Sequence, residues 1–179
     1  MSYHTTLKQG DLLGEESATF IVNASNTRLI LGSGVSMAFK RHCGIGLQHE
    51  MTLRLGEIGH TLSKGDVVAT SSGATNFIYA LHAAIMDYNQ GTKEADKYPS
   101  LEDIETTLEN IEPYLEWYAK SHSEPMSLVL PLMGTGVGGL NVLDVFKVNK
   151  AFFSKSVPFD CSVVIYAYSQ QDYEWLSLQ

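Results

Sequence analysis

Val22-Asn23-Ala24-Ser25-Asn26-Thr27-Arg28-Leu29-Ile30-Leu31-Gly32-Ser33-Gly34-Val35-Ser36-Met37-Ala38-Phe39-Lys40-Arg41-His42-Cys43-Gly44 is the stretch whose reading decides the fold. Phe20, Ile21 and Val22 lead into it as a short apolar run, the mark of a buried strand. Asn23, Ser25 and Asn26 place small polar side chains at the strand's end, and Gly32 and Gly34 free the backbone for close approach to a ligand. A helix then follows, with Val35, Ala38 and Phe39 on one face, and its unpaired N–H groups point back at the loop. A strand, a glycine loop and a helix N-terminus together make an anion site, most often for phosphate.

Outward from this stretch, strands and helices alternate. Thr5 to Gln9 reads as an edge strand ending at Gly10-Asp11, and Thr19 to Asn23 as a more buried one. A second helix is expected around Leu47 to Leu55, with Gly56, Gly59 and Gly65 breaking the pattern. Asp66 to Thr70 and Phe77 to His82 read as two further strands, and residues 89 to 100 as an exposed loop. Ser100 can cap a helix with Asp103 at its third position. Leu101, Ile104, Leu108, Ile111 and Leu115 then form one apolar stripe, which Pro113 is expected to kink or divide. Leu128 to Leu132 is a strand feeding Gly134-Thr135-Gly136-Val137-Gly138-Gly139, a helix follows from Asn141, Ser162 to Tyr168 is the last strand, and Asp172 to Leu178 could close the chain as a short helix. Such alternation implies an α/β fold with a mostly parallel sheet covered on both faces. Ligands in these folds sit at the carboxyl ends of the strands, where both glycine loops and Tyr168 fall.

Composition narrows the partners. The 179 residues suit one domain with a sizeable core, and 44% hydrophobic with 18% charged residues fits a globular protein. A net charge of −8 argues against strong nonspecific nucleic-acid binding, so any ligand phosphate must be held mainly by backbone amides. Cys43 and Cys161 form no CxxC pair, which excludes the common zinc and redox motifs and suits a reducing cytoplasm. No metal site is expected. Neither a signal-peptide pattern nor a membrane-spanning apolar run is present, so a cytoplasmic protein off the membrane is expected.

Individual motifs leave alternatives open. Gly134-x-Gly136-x-x-Gly139 has the spacing of a dinucleotide fingerprint, but the next strand ends in Tyr166-Ala167-Tyr168-Ser169, without the acidic residue that would hold a ribose. No GKS or GKT follows either loop, and Gly32-Ser33-Gly34 is not GxSxG. Asn26 is either a turn-former bonding its own backbone or a hydrogen-bond partner for a sugar hydroxyl. Asp11 is either a turn residue or an acceptor for an exocyclic amine. Tyr168 is either rim packing or a platform for a base. His82, within the apolar run Ile78 to Ile85, reads as a core histidine. The acidic residues from Glu102 to Glu112 read as the solvated face of a helix.

Gly10-Asp11-Leu12, Val22-Asn23-Ala24-Ser25-Asn26, Gly32-Ser33-Gly34-Val35 and Pro131-Leu132-Met133-Gly134-Thr135-Gly136-Val137-Gly138-Gly139 resemble, in order, the ligand-site segments of macrodomains. Arg41 and Gly44 also fall where that family's first helix has an Arg and a closing Gly, and the resemblance runs from about Leu7 to Tyr173. It implies a three-layer α/β/α macrodomain fold with a mixed, mostly parallel central sheet, one domain over residues 1–179, and ADP-ribose as ligand with no further cofactor. Asp11 would accept from the adenine amine, with the Leu12 amide facing the base and Tyr168 covering it. Asn26 would bond the distal ribose beside Ala24. Gly32, Ser33, Gly34, Val35 and Ser36, with Gly134, Thr135, Gly136, Val137 and Gly138, would clamp the diphosphate and distal ribose from two sides. The partner implied is ADP-ribose or an ADP-ribosylated macromolecule.

Members that remove mono-ADP-ribose from acidic side chains tend to carry Asp after the glycine-loop Val, where this chain has Ser36. A serine hydroxyl can position a water but cannot serve as a carboxylate base near neutral pH. The paired glutamates of a poly-ADP-ribose glycohydrolase are also missing, since Gln48-His49-Glu50 lies far from Gly34. Two expectations follow. One is hydrolysis of an ADP-ribosyl linkage or derivative, with Asn26 and Ser36 as the catalytic candidates. The other is a binding module that reads ADP-ribose.

Overall fold

In the computed structural model of the chain, residues 1–32 and 34–179 are described. Six strands form one sheet: β1 (Tyr3–Gln9), β2 (Ala18–Asn26), β3 (Val67–Ser71), β4 (Phe77–Met86), β5 (Ser127–Pro131) and β6 (Cys161–Ala167). Their spatial order is β1-β6-β5-β2-β4-β3, and every pairing is parallel except β3 with β4. Five helices cover the sheet: α1 (Gly34–Cys43), α2 (Ile45–Ile58), α3 (Leu101–Ser121), α4 (Val142–Phe153) and α5 (Gln170–Leu176). The sheet is mixed and mostly parallel, and its helices make the expected three layers.

The layers follow from strand alternation, which sends successive side chains to opposite faces. Phe20 and Val22 of β2 join Leu128, Leu130, Val163 and Ile165 on one face, against Ile104, Leu108, Ile111 and Leu115 of α3 and Val145 and Phe153 of α4. Ile21, Val129, Ala80 and Ala84 look the other way, against Phe39 and Cys43 of α1 and Leu47 and Met51 of α2. Among the described residues, no helix is long and apolar enough to cross a membrane.

Several local expectations need correction. Pro113 does not divide the apolar stripe between two helices but sits inside α3. It is exposed, so the hydrogen bond its missing N–H gives up lies on the solvent side of the helix. Gly56 does not end the second helix either. It lies on the exposed face of α2, and the helix closes at Gly59, whose φ of 73° is the left-handed region that favours glycine. β4 runs on past His82 to Met86. The segment 89–100 contains a short 3-10 turn at Glu94–Lys97. Ser100 and Asp103 form the expected reciprocal cap of α3.

Candidate functional site

Every parallel strand delivers a loop to the same edge of the sheet. A cleft of about 810 Å³ opens along that edge, within the range of small-molecule sites. Its lining follows the strand order. Asp11 and Leu12 come from the end of β1, Tyr168 from β6, Met133 to Gly138 from β5, Ala24 to Asn26 with Gly32 and Gly34 to Ser36 from β2 and its loop, and Met86 and Tyr88 from β4. Ser33 of the first loop lies outside the described residues. Five strand ends span four inter-strand spacings, roughly 19 Å, so the cleft is a trough, long and crossed by successive chemistries. Its charged lining is two acids, Asp11 and Asp172, and two arginines, Arg28 and Arg41. Neither arginine is in an ion pair among the described residues.

At the β1 end, Asp11 caps the 3-10 turn Leu12–Gly14, its Oδ1 accepting from Leu13 N–H at 3.0 Å. This is the turn role, and it occupies one carboxylate oxygen. The second oxygen and the Leu12 N–H have no partner among the described residues, which leaves an acceptor beside a donor. Tyr168 stands at the rim, 84% exposed, its backbone carbonyl accepting from Gln9 Nε2 at 2.9 Å. Beneath this end Tyr166 donates to Glu15 at 2.6 Å, and Lys8 bonds the same carboxylate at 2.9 Å. Burial raises the Glu15 pKa, but these hydrogen bonds more than offset it and hold the group below its usual range.

Two glycine loops line the middle. In the second, Gly134 (φ 80°) receives Leu140 N–H on its carbonyl at 2.9 Å, and the Thr135 hydroxyl donates to Leu132 O at 2.7 Å. A Cβ on Gly138 would stand 2.6 Å from Gly134 O and 2.9 Å from Pro99 Cγ, so the loop is folded tightly on its own backbone. The N–H groups of Gly136, Val137 and Gly138 find no acceptor among the described residues. α4 does not add its own N-terminus to the loop, because Asn141 Oδ1 accepts from Leu143 and Asp144. α1 begins at Gly34, with φ of 56° and no acid in its first turn, so its first N–H groups are donors at the cleft.

At the β2 end a register shift between Ser25 and Asn26 re-aims the strand terminus. Asn26 is 9% exposed. Its Oδ1 accepts from Arg28 N at 3.1 Å and Ile30 N at 3.3 Å, and its Nδ2 donates to Ile30 O at 2.9 Å. The turn-forming role is therefore real, and one Nδ2 hydrogen remains beyond it. The turn passes through Leu29, a buried residue with φ of 50°. Gln48 of α2 holds it from below, Oε1 accepting from Leu31 N at 2.7 Å and Nε2 donating to Leu29 O at 2.9 Å. Ser36 is 3% exposed and lines the cleft, its Oγ 3.1 Å from both Asn23 Oδ1 and Ala24 O. Asn23 continues to His82 (3.0 Å), whose pKa burial pushes down to about 3. Ser25, also in the lining, is buried with no partner for its hydroxyl among the described residues.

The structure thus brings every described residue of the expected site to one cleft. Gln48, Asn23, Arg28 and Asp172 were missed as site residues, while His82 is the buried core histidine expected. Of those missed, Asn23 and Arg28 lie inside the quoted stretch, and their position before a glycine loop was the signal available. Glu50, two residues on from Gln48, bonds Ser71 away from the cleft. Among the described residues no group of His, Cys, Asp and Glu is placed to hold a metal ion.

A mixed, mostly parallel α/β sheet with a five-strand trough at the carboxyl ends of its strands, lined by glycine loops and an aromatic rim, has its cleft where folds of this class place their ligands. The family is shown by comparison: residues 22–149 match the Macro domain, and the chain belongs to that family. A macro domain-containing protein of Streptomyces coelicolor is 40% identical over 78 residues, 43% of this chain and 46% of its own length. An uncharacterized protein of Aeropyrum pernix is 27% identical over 143 residues, 78% of this chain and 65% of its own length. The chain spans less than two thirds of either relative. The Oceanobacillus iheyensis macrodomain with ADP superimposes with a TM-score of 0.74 at 24% identity, covering 97% of this chain and 88% of that one. The Trypanosoma brucei macrodomain in complex with ADP-ribose gives 0.74 at 19%, covering 98% and 68%. The macrodomain of Mycobacterium tuberculosis DarG gives 0.71 at 21%, covering 92% and 98%. At these identities the likeness is one of fold.

Proposed function

We propose that the protein binds ADP-ribose, free or attached to a macromolecule, along this cleft, with the adenine at the β1 end and the second ribose at the β2 end. The observation that carries the reading is the order of chemistries along the sheet edge. An acceptor and a donor beside an exposed tyrosine suit the amine and ring nitrogen of adenine. Unpartnered amides of Gly136, Val137 and Gly138, in the same cleft as the first turn of α1, suit a diphosphate in a chain of net charge −8. Asn26 and Ser36 suit sugar hydroxyls. Titration calorimetry with ADP-ribose against ATP, AMP and NAD tests it, with ADP-ribose expected to bind tightest. Failure to bind ADP-ribose sinks the reading.

Recognition rather than turnover is the reading we favour for the bound ligand, because the two acids of the lining, Asp11 and Asp172, belong to the β1 and α5 segments and not to the second-ribose end. The free Nδ2 hydrogen of Asn26 supports a second reading, in which Asn26 and the ligand's diphosphate hold a water that attacks an ADP-ribosyl linkage. An assay panel of ADP-ribosylated protein, ADP-ribosylated nucleic acid, O-acetyl-ADP-ribose and ADP-ribose phosphate, with Asn26→Ala as control, separates the two. No turnover on any substrate removes hydrolysis and keeps recognition.

A further inference from the structure

Thr70, His82, Asn23 and Ser36 form one continuous hydrogen-bonded chain from β3 across β4 and β2 to the first turn of α1. All four are buried: Asn23 and His82 are 0% exposed, and Thr70 and Ser36 are 3%. The chain lies on the α1/α2 face of the sheet, where Asn23 and His82 are register partners, as are His82 and Val68. The polarity of each link can be worked out from one end. The Thr70 hydroxyl donates to Ser71 O at 2.8 Å and so accepts from His82 Nε2 at 2.7 Å. The ring proton is therefore on Nε2, and Nδ1 accepts from the Asn23 amide nitrogen at 3.0 Å. That orientation turns Asn23 Oδ1 toward Ser36. Both partners of Ser36 Oγ, Asn23 Oδ1 and Ala24 O, are then acceptors at 3.1 Å. The single hydroxyl proton is committed to the floor of the cleft, and Ser36 can offer the cleft only lone pairs.

We propose that Ser36 is a neutral hydrogen-bond acceptor for a hydroxyl donated by the ligand's second ribose, and that Asn23, His82 and Thr70 are positioning residues that set its polarity. The proposal rests on the ADP-ribose reading of the cleft. A carboxylate at position 36 would face two acceptors, and Asn23 cannot turn over to receive it without breaking its bond to His82. The floor is built for a hydroxyl, so Ser36→Asp is expected to weaken ADP-ribose binding and to create no hydrolase.

Two measurements on the full chain test this. The first is calorimetry with ADP-ribose and with ADP, which lacks the second ribose. Ser36→Ala is expected to weaken ADP-ribose about 5- to 10-fold, the effect of one hydrogen bond, and to leave ADP unchanged. The second is ¹⁵N NMR of the wild-type imidazoles at neutral pH, where His82 is expected as the Nε2–H tautomer with an unprotonated, accepting Nδ1. His82→Phe, checked for folding by circular dichroism, is expected to lose ADP-ribose affinity relative to ADP as Ser36→Ala does. Equal ADP-ribose binding by wild type and Ser36→Ala, equal loss of both nucleotides, or an Nδ1–H tautomer of His82 overturns the proposal while leaving the cleft reading intact. Absence of ADP-ribose binding by the wild type overturns both.

Discussion

Asp11 and Asn26 each hold two jobs at once. Asp11 caps the Leu12–Gly14 turn with one oxygen and leaves the other to the cleft. Asn26 closes the 26–30 turn with three bonds and keeps one hydrogen free. The sequence presents these roles as alternatives because residue type and spacing do not reveal that a bidentate side chain divides its atoms between them. Asp11→Asn separates the roles: its amide oxygen can still accept from Leu13, while its NH₂ replaces the free acceptor. It is expected to keep the melting temperature near wild type and to erase the preference for ADP-ribose over its hypoxanthine analogue in calorimetry. Asp11→Ala is expected to lose that preference and also about 1 kcal/mol of stability, the usual worth of a cap. Gln48 was beyond reading as a support of the site, since its bonds to Leu29 and Leu31 join α2 to a turn 17 to 19 residues earlier. Gln48→Ala leaves a buried turn with a left-handed Leu29 unsupported. It is expected to lower both thermal stability and ADP-ribose affinity without touching the ligand, seen as a faster off-rate.

Among the elements, the two glycine loops were legible as lining one cleft because a glycine cluster at a strand end has few other uses. What spacing cannot tell is which glycine is required by its own backbone and which by the cleft. Gly138 belongs to the first kind: an added methyl group meets Gly134 O and Pro99. The contact with Pro99, from the segment before α3, joins parts of the chain that no local pattern connects. Gly136 has open space at its Cβ position and no left-handed φ. Gly138→Ala is expected to reduce ADP-ribose affinity at least tenfold and to lower the melting temperature, while Gly136→Ala leaves the melting temperature unchanged by differential scanning fluorimetry. The same blindness explains Pro113 and Gly56. A helix breaker on a solvent face is tolerated when the opposite face is well buried, as Ile111 and Leu115 are in α3.

For the molecule as a whole, fold class and sheet character were readable because β2, β5 and β6 are short apolar runs separated by helical stripes, and a sheet buried on both faces demands such runs. The antiparallel β3–β4 edge and the strand order were not, since both depend on pairing between distant segments. That pairing also places His82 where it is buried against Asn23 and Thr70, neither of which is charged. The charged side chains of the helices over this face, Lys40, Arg41, His42, His49, Arg54 and Glu57, are exposed, and Glu50 is bonded to Ser71. Burial therefore decides its titration and lowers its pKa from 6.5 to about 3. Below pH 6.5 the unfolded chain takes up a proton at this residue that the folded chain refuses, so stability is fully present above that pH. It falls as the pH drops toward 3, at up to about 1.4 kcal/mol per pH unit. Glu15 and Asp87 act in the same direction at lower pH. Burial raises each, but hydrogen bonds from Lys8 and Tyr166, and from Asn89, Thr27 and Thr92, outweigh it and hold both below their usual values. Urea unfolding of wild type and His82→Gln between pH 7 and pH 4 resolves the histidine's share. The wild-type midpoint is expected to fall steadily from pH 6.5, and that of His82→Gln, lower at pH 7, to stay nearly level until the carboxylates titrate. Parallel lines for the two proteins would mean that His82 takes up its proton in the folded state as readily as in the unfolded one.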